Sequence, residues 1–435
     1  MTQVDAMDPT SALRFGDARD WFFAKRYGLF LHWGLYALPA WHEQLQWRGR
    51  VDRREYEKLA AEWSPHRFDP DLWLDLAQEA GMGYVCLTTK HHDGFCLWAT
   101  RQTDFCVTNT PDGRDIVALL AEACQRRDFP LCLYYSCVDW HHPNYPNQGR
   151  HHELPGPLPG DQPDHARYLD FLRAQVEELC TNYGPLGGFW WDMNVEEHVD
   201  PSINARIREL QPGAVINNRG YDDGDFGTPE RDWDGGLDGQ LTLSRPTEAC
   251  QSVGIESWGY RLGEDYYTDR HLQRSLAKYL ARGANYLLNL GPRADGSLDP
   301  DQVGILRRLG AWYHRVREAL IDVEPASHYT ANRSVLLTRR GRTIYVICHR
   351  ELVTDAVKLG PLAVMPRRAT LLNTGAEVAC EVALLPSEHA SQQPCLRLRR
   401  LPANELAGTV LVVRLEFDEL PEATVAAVTD QRLAL

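Results

Sequence analysis

The chain has 435 residues and a mass of 49.5 kDa, with 43% hydrophobic and 24% charged residues. This is the composition of a globular protein with a sizeable core, and it excludes a disordered chain or a coiled coil. The 46 Lys and Arg against 60 Asp and Glu leave a net charge of −14, which repels phosphate backbones and makes nucleic acid an unexpected partner.

In chain order, continuous apolar runs alternate with amphipathic helical segments. The runs Tyr27–Leu31, Tyr84–Thr89, Leu131–Ser136, Gly188–Asp192, Ala214–Asn217 and Ala284–Leu290 read as strands of a parallel sheet covered on both faces. Helices are expected over 69–81, 113–128, 164–184, 201–213, 268–284 and 299–320, several ending on a Gly suited to the left-handed position after the last turn. Alternation over about 300 residues predicts a (β/α)8 TIM-like barrel. Two further strands are expected between Asn218 and Tyr267, within a Gly-, Asp- and Pro-rich stretch that reads as long functional loops. Beyond Val323, the segments Ser334–Thr338, Thr343–Cys348, Ala369–Leu372 and Gly408–Leu415 carry almost no helical pattern and predict a C-terminal antiparallel β-sandwich. The expected domains are a barrel over 1–325 and a sandwich over 326–435.

The first twenty residues carry charges and no apolar core, unlike a secretory signal, and no apolar run approaches the ~20 residues of a membrane span. The 11 cysteines are scattered through apolar stretches without a CxxC pair and read as reduced core filler. A cytoplasmic protein with no membrane partner is expected.

In a parallel barrel, functional side chains sit at the C-terminal strand ends. His32, Trp33 and Gly34 follow the first run, and Lys90, His91, His92, Asp93 and Gly94 follow the second. Asp139, Trp140 and His141 follow the third, the fourth ends on Asp192, and Asn217, Asn218 and Arg219 follow the fifth. Polar and aromatic residues thus converge on one rim. The 13 Trp and 16 His fit this picture if Trp33, Trp140, Trp190, Trp191 and Trp258 gather at the rim, where a sugar would stack. His151 and His152 fall in a Pro/Gly-rich segment that reads as a solvated active-site loop.

No phosphate-cradling glycine motif and no GxSxG elbow is present. His91 and His92 are adjacent, so on a regular strand they would point to opposite faces and could not share a metal; no metal is expected. Carbohydrate fits better, because sugars present hydroxyls to His, Arg and carboxylates and apolar faces to Trp and Tyr. Their hydrolysis needs two carboxyl groups. Asp192 is the strongest candidate. For the second, Glu43, Glu230 and Glu248 compete, with Glu256 behind them. Glu230 lies in a loop that suits an acid partly shielded from water, with a raised pKa.

The chain resembles the α-L-fucosidases of glycoside hydrolase family 29 over nearly its whole length. The resemblance rests on Tyr27–Tyr36, Leu87–Phe95, Gly113–Val117, Leu133–Ser136, Asp139-Trp140, Phe189–Asp192 and Ile216–Arg219. It continues through Gly224–Glu230, Ser257–Tyr260, Leu287–Pro292 and Asp295-Gly296. It implies a retaining exo-glycosidase acting on terminal α-L-fucosyl residues of oligosaccharides or glycosides, with Asp192 as nucleophile and Glu230 as acid/base, Glu248 being the runner-up. His32, Glu43, His91, His92, Tyr135, Trp190, Arg219, Glu248 and Trp258 match substrate-binding positions. Tyr134 replaces Tyr135 if alternation turns it to the rim. No cofactor is required, and the sequence leaves a homo-oligomer open. A wall of Trp190 with Phe30 or Trp258 would receive the methyl group that distinguishes fucose, and Arg219 would keep Asp192 ionised. The sequence departs from the family at Thr247, where many members have Trp, and at Gln44, also commonly Trp; both bear on linkage and on the sugar itself. The alternatives are a galactoside-like substrate on the same scaffold, or a non-catalytic sugar-binding relative.

Overall fold

The computed structural model describes residues 14–231, 241–243, 245–423 and 428–430. Its helices begin where the sequence supplies caps. Asp69, Asp115, Asp164, Asp200 and Asp299 each accept a backbone N–H at the start of the helices Pro70–Glu79, Ile116–Arg126, His165–Asn182, Pro201–Leu210 and Pro300–Val316. Thr268 does the same for Asp269–Leu280. These side chains satisfy donors that the first helical turn leaves unpaired.

The first eight strands are β1 (Tyr27–Leu31), β2 (Tyr84–Lys90), β3 (Leu131–Ser136), β4 (Gly188–Asp192), β5 (Val215–Ile216), β6 (Leu241–Leu243), β7 (Glu248–Ser252) and β8 (Asn285–Leu290). Among the described residues, seven of them form one parallel sheet in the order β5-β4-β3-β2-β1-β8-β7. Of the two strands expected between Asn218 and Tyr267, β7 joins this sheet. The other, β6, pairs instead with Val428–Asp430. The segment from Phe226 to Glu230 makes isolated parallel bridges at both ends of the sheet: Phe226 to Asn217 just beyond β5, and Gly227 and Glu230 to Thr247 and Cys250 at β7.

Side chains alternate between two layers, as the period of a strand requires. Phe30, Tyr84, Cys86, Cys132, Tyr134, Trp190 and Cys250 form an inner cluster with Phe22, Phe23 and Phe226. Leu29, Leu31, Val85, Leu87, Leu133, Tyr135, Phe189 and Trp191 belong to the outer cluster with the helices. Both faces are buried, which explains the continuous apolar runs.

The later strands are β9 (Glu324–Pro325), β10 (Leu336–Arg340), β11 (Thr343–Cys348), β12 (Val357–Lys358), β13 (Arg368–Leu371), β14 (Ala379–Ala383), β15 (Cys395–Arg399), β16 (Leu411–Glu416) and β17 (Val428–Asp430). They form a five-stranded antiparallel sheet, β13-β16-β11-β10-β9, and a three-stranded one, β12-β15-β14. In β11, Ile344, Val346 and Cys348 pack toward Leu396 and Leu398 of the smaller sheet. Tyr345 and Ile347 pack toward the helices. Trp312 and Gln273, each in one of those helices, hydrogen-bond to the backbone of Val410. Strands β12, β14 and β15 are absent from the sequence reading. β14 is largely exposed, so it lacks an apolar face to announce it.

Candidate active site

A cavity of about 510 Å³ is lined by residues from the C-terminal side of the parallel sheet. Phe30 and His32 come from β1 and the residues just past it, His91 and His92 from the turn after β2, Tyr134 from β3, and Trp190 and Asp192 from β4. Arg219, Glu230, Glu43 and Trp258 complete it from loops. His91 and His92 both face the cavity because the chain turns at Lys90, after a register shift in β2. Their rings lie 4.0 Å apart. The fully buried Lys90 anchors that turn, donating to Asp139 Oδ2 at 2.7 Å. Gly94 has φ +80°, and a Cβ there would stand 2.6 Å from Asp139 Oδ1, so both conformation and space call for glycine.

Asp192 is 8% exposed. Its Oδ2 accepts the Tyr134 hydroxyl at 2.7 Å and its Oδ1 accepts from Arg219 Nη1 at 3.1 Å. Burial alone would raise its pKa, but the Arg219 charge and the Tyr134 and Arg219 hydrogen bonds hold it below the ordinary carboxylate value. Met193, the next residue, has φ +65°, a left-handed conformation costly for a side chain with a Cβ.

The histidines are neutral. Burial pushes His32 down to about 4 and His92 to about 3, and pushes His91 well below its usual value. Hydrogen bonds assign two tautomers. Asn289 donates its amide to the Trp258 carbonyl, so its oxygen faces His32 Nδ1 at 2.7 Å and that nitrogen carries the proton. Ser136 donates to the Val138 carbonyl, so its oxygen accepts from His92 Nδ1 at 2.6 Å. Each ring therefore keeps its Nε2 lone pair as an acceptor; that of His92 lies 3.9 Å from Asp192 Oδ2. Such acceptors suit hydroxyl donors.

Glu43 is 2% exposed and its Oε2 accepts from Ser257 Oγ and from the backbone N–H groups of Trp258 and Gly259. Burial raises its pKa, but the donors that face it, Ser257 among them, hold it below the ordinary value. It is a fixed acceptor. Glu230 stands at the mouth with its side chain 44% exposed and ion-paired to Arg219 Nη1 at 3.1 Å, so the expected shielding from water is not what the structure shows.

Two expected substrate contacts are corrected. Tyr135 points into the outer layer and donates to Gln175 in the helix His165–Asn182 at 2.6 Å; Tyr134 faces the cavity instead, because it is in register with Trp190. Glu248 lies beneath the cavity and is not part of its lining. Its carboxyl is hydrogen-bonded to Tyr84 and to Trp190 Nε1, and burial pushes its pKa up to about 7.

A family model described as Alpha-L-fucosidase matches residues 6–318. The chain belongs to the α-L-fucosidase family. Tissue alpha-L-fucosidase of Mus musculus is 28% identical over 365 residues, 75% of this chain and 76% of that protein. Alpha-L-fucosidase isoenzyme 1 from Paenibacillus thiaminolyticus has 31% identity and a TM-score of 0.79, covering 93% of this chain and 100% of that one. A family 29 α-L-fucosidase from Bacteroides thetaiotaomicron, trapped as a covalent intermediate with 2-fluoro-fucosyl fluoride, has 25% identity and a TM-score of 0.76, covering 93% and 97%.

Within this α-L-fucosidase-family chain the aromatic excess divides. Trp190 and Trp258 line the cavity with Phe30, whose ring lies 5.3 and 6.2 Å from theirs. Trp33, Trp140 and Trp191 do not: Trp33 packs on Trp63, Phe68 and Trp73, and Trp191 on Phe189 and Tyr221. Trp140 serves the site indirectly, donating to the His152 carbonyl, while Trp47 donates to that of Glu153. This ties the segment carrying His151 and His152 to the cavity that both residues line. Sequence reasoning did not single out the lining residues His42, Met193, Arg231 and Ile255; their only signal is proximity in sequence to recognised motifs. Among the described residues, no group of three or more His, Cys, Asp or Glu is placed to hold a metal ion, and no helix is long and apolar enough to cross a membrane.

Proposed function

We propose that this chain is a retaining exo-α-L-fucosidase, with Asp192 as nucleophile and Glu230 as acid/base. The observation that carries the reading is the shared contact of Arg219 Nη1, 3.1 Å from Asp192 Oδ1 and 3.1 Å from Glu230 Oε2. The two oxygens are separated by at most twice that distance, which is compatible with the ~5–5.5 Å between the carboxyl groups of retaining enzymes.

Asp192, kept ionised by Arg219 and Tyr134, attacks the anomeric carbon. The glycosidic C–O bond breaks as Glu230 gives its proton to the leaving oxygen. The Glu230 carboxylate then takes a proton from water, which attacks the same carbon and frees Asp192. Two inversions retain configuration. The covalent intermediate of the Bacteroides thetaiotaomicron relative supports this route. His32, His92 and Glu43 accept sugar hydroxyls, and Phe30, Trp190 and Trp258 offer an apolar wall to the methyl group of a 6-deoxy sugar. Bridges at both edges of the parallel sheet support a closed barrel over 1–325, and the cluster shared by the two antiparallel sheets supports a sandwich over 326–435. Eleven free thiols, ten of them buried, support a cytoplasmic location.

The test is turnover of a panel of aryl glycosides, with the first-formed product followed by NMR. Hydrolysis of the α-L-fucoside with release of the α anomer is expected. Preference for a galactoside, or release of the β anomer, would overturn the reading.

A further inference from the structure

The cavity accounts for one sugar, but the structure continues beyond Glu230. Arg231 donates to the Gly254 carbonyl at 3.2 Å and lies over the Trp258 ring at 4.9 Å. The residues that follow Gly254, Ile255 and Glu256, line the cavity mouth. His42, whose Nδ1 accepts from Gln44 N–H, is hydrogen-bonded on its other side to the Glu256 backbone. Trp41 abuts the His42 ring at 5.8 Å, and Leu262 N–H donates to the Ala40 carbonyl at 2.8 Å. These contacts bring the segments of Arg231, Gly254–Glu256, Ala40–His42 and Leu262 together, and water reaches three of their apolar side chains: Trp41 at 45% exposure, Ile255 at 44% and Leu262 at 75%.

Large exposed apolar side chains carried on adjoining segments, not scattered singly, mark contact surfaces. Here the surface adjoins the group that would protonate the glycosidic oxygen. Resting on the fucosidase reading, we propose that Trp41, Ile255 and Leu262 form a platform for the leaving sugar, receiving the C–H face of its pyranose ring. Indole is suited to this, because a pyranose presents axial C–H groups on one face and hydroxyls at its edge. The polar edge meets Arg48, Gln44 and His152, which also line the cavity. Binding energy gathered here from a part of the substrate that does not react promotes cleavage of disaccharides over simple fucosides.

The experiment compares kcat/KM for α-L-fucosyl fluoride, which has no leaving sugar, with kcat/KM for α-L-fucosyl-(1→3)- and -(1→4)-N-acetylglucosamine and α-L-fucosyl-(1→2)-galactose. Trp41→Ala and Leu262→Ser, at residues outside the cavity lining, are each measured alongside the parent protein. Stacking of this kind is worth about a five- to tenfold rate difference. Each variant is expected to lose about that factor on at least one disaccharide while the fluoride changes by less than about twofold. An equal loss on both substrate types marks these residues as supports of the His42–Glu43 wall and overturns the platform. So does no loss on any disaccharide. If Trp41→Ala instead converts a dimer to a monomer in sedimentation with disaccharide preference unchanged, the face is an interface between copies and the platform fails. Failure of the parent protein to turn over the fluoride overturns the fucosidase reading itself, a result separate from these.

Discussion

Tyr134 donates its phenolic hydrogen to Asp192 Oδ2 at 2.7 Å, across adjacent strands whose register places Tyr134 opposite Trp190 and Ser136 opposite Asp192. A hydrogen bond to a charged group is worth about 1.5–3 kcal/mol. In Tyr134→Phe, kcat/KM on an aryl α-L-fucoside should fall about 10- to 100-fold. The bond favours the ionised carboxylate, so its loss raises the Asp192 pKa and moves the acid limb of the pH–rate profile to higher pH. An unchanged acid limb would show that Arg219 alone sets the ionisation.

Removal of Asp192 itself is the stronger test. Asp192→Gly should lose about 10³-fold or more in turnover, as nucleophile removal does elsewhere. Full retained activity on the aryl fucoside would refute the assignment.

The two candidate acids separate by chemical rescue. Glu230→Ala should recover turnover with added azide and yield a fucosyl azide of retained configuration, because the small anion enters where the catalytic carboxylate was. Glu248→Ala should not respond. It leaves Trp190 Nε1 and the Tyr84 hydroxyl without their buried partner, a cost of about 1–3 kcal/mol for each unsatisfied group, so its measured change should be a lower denaturation midpoint. Rescue at Glu248 and not at Glu230 would reverse the two roles.

Glu248 should also mark the pH dependence of stability. Burial raises its folded pKa from 4.5 to about 7, so its stabilising contribution is fully present below about pH 4.5 and is lost as pH rises through 7. The loss is on the order of 3 kcal/mol. Glu248→Gln removes this dependence, and the stability difference between variant and parent should grow in the variant's favour between pH 4.5 and 7. A difference constant across that range would show that the carboxyl is ionised throughout.

The buried imidazoles act in the opposite direction. The folded pKa values of His32 and His92, about 4 and about 3, lie below their ordinary 6.5. Their contribution is fully present above pH 6.5 and falls as pH drops toward those values. At pH 5 this amounts to about 2 kcal/mol for each ring. With His91 also held neutral, three rings outweigh one carboxyl, and the urea midpoint should be lower at pH 5 than at pH 7. A higher midpoint at pH 5 would contradict the neutral assignment.

Much of the site is legible from strand ends. Asp192, Arg219, His32 and Trp190 read as rim residues because a parallel sheet buried on both faces announces its strands as apolar runs, and the residues at and after the end of each run stand at one end of the sheet. Glu230 and Glu248 show where such reading stops. One ends at an exposed mouth and the other beneath the floor, although both follow glycine- or proline-containing loop segments of similar character.

By itself, the sequence determined the strand–helix alternation, the glycines that end several helices and the family, since these depend on local backbone conformation, period and motif. Only the tertiary structure decided which of Tyr134 and Tyr135 faces Asp192. Adjacent residues on a strand point to opposite faces, and in β3 both faces are apolar, so burial cannot tell them apart. Cross-strand register with β4 does. The same holds for His91 and His92, which share one cavity because the chain turns after Lys90, held by a buried ion pair to Asp139, a residue 49 positions away in sequence.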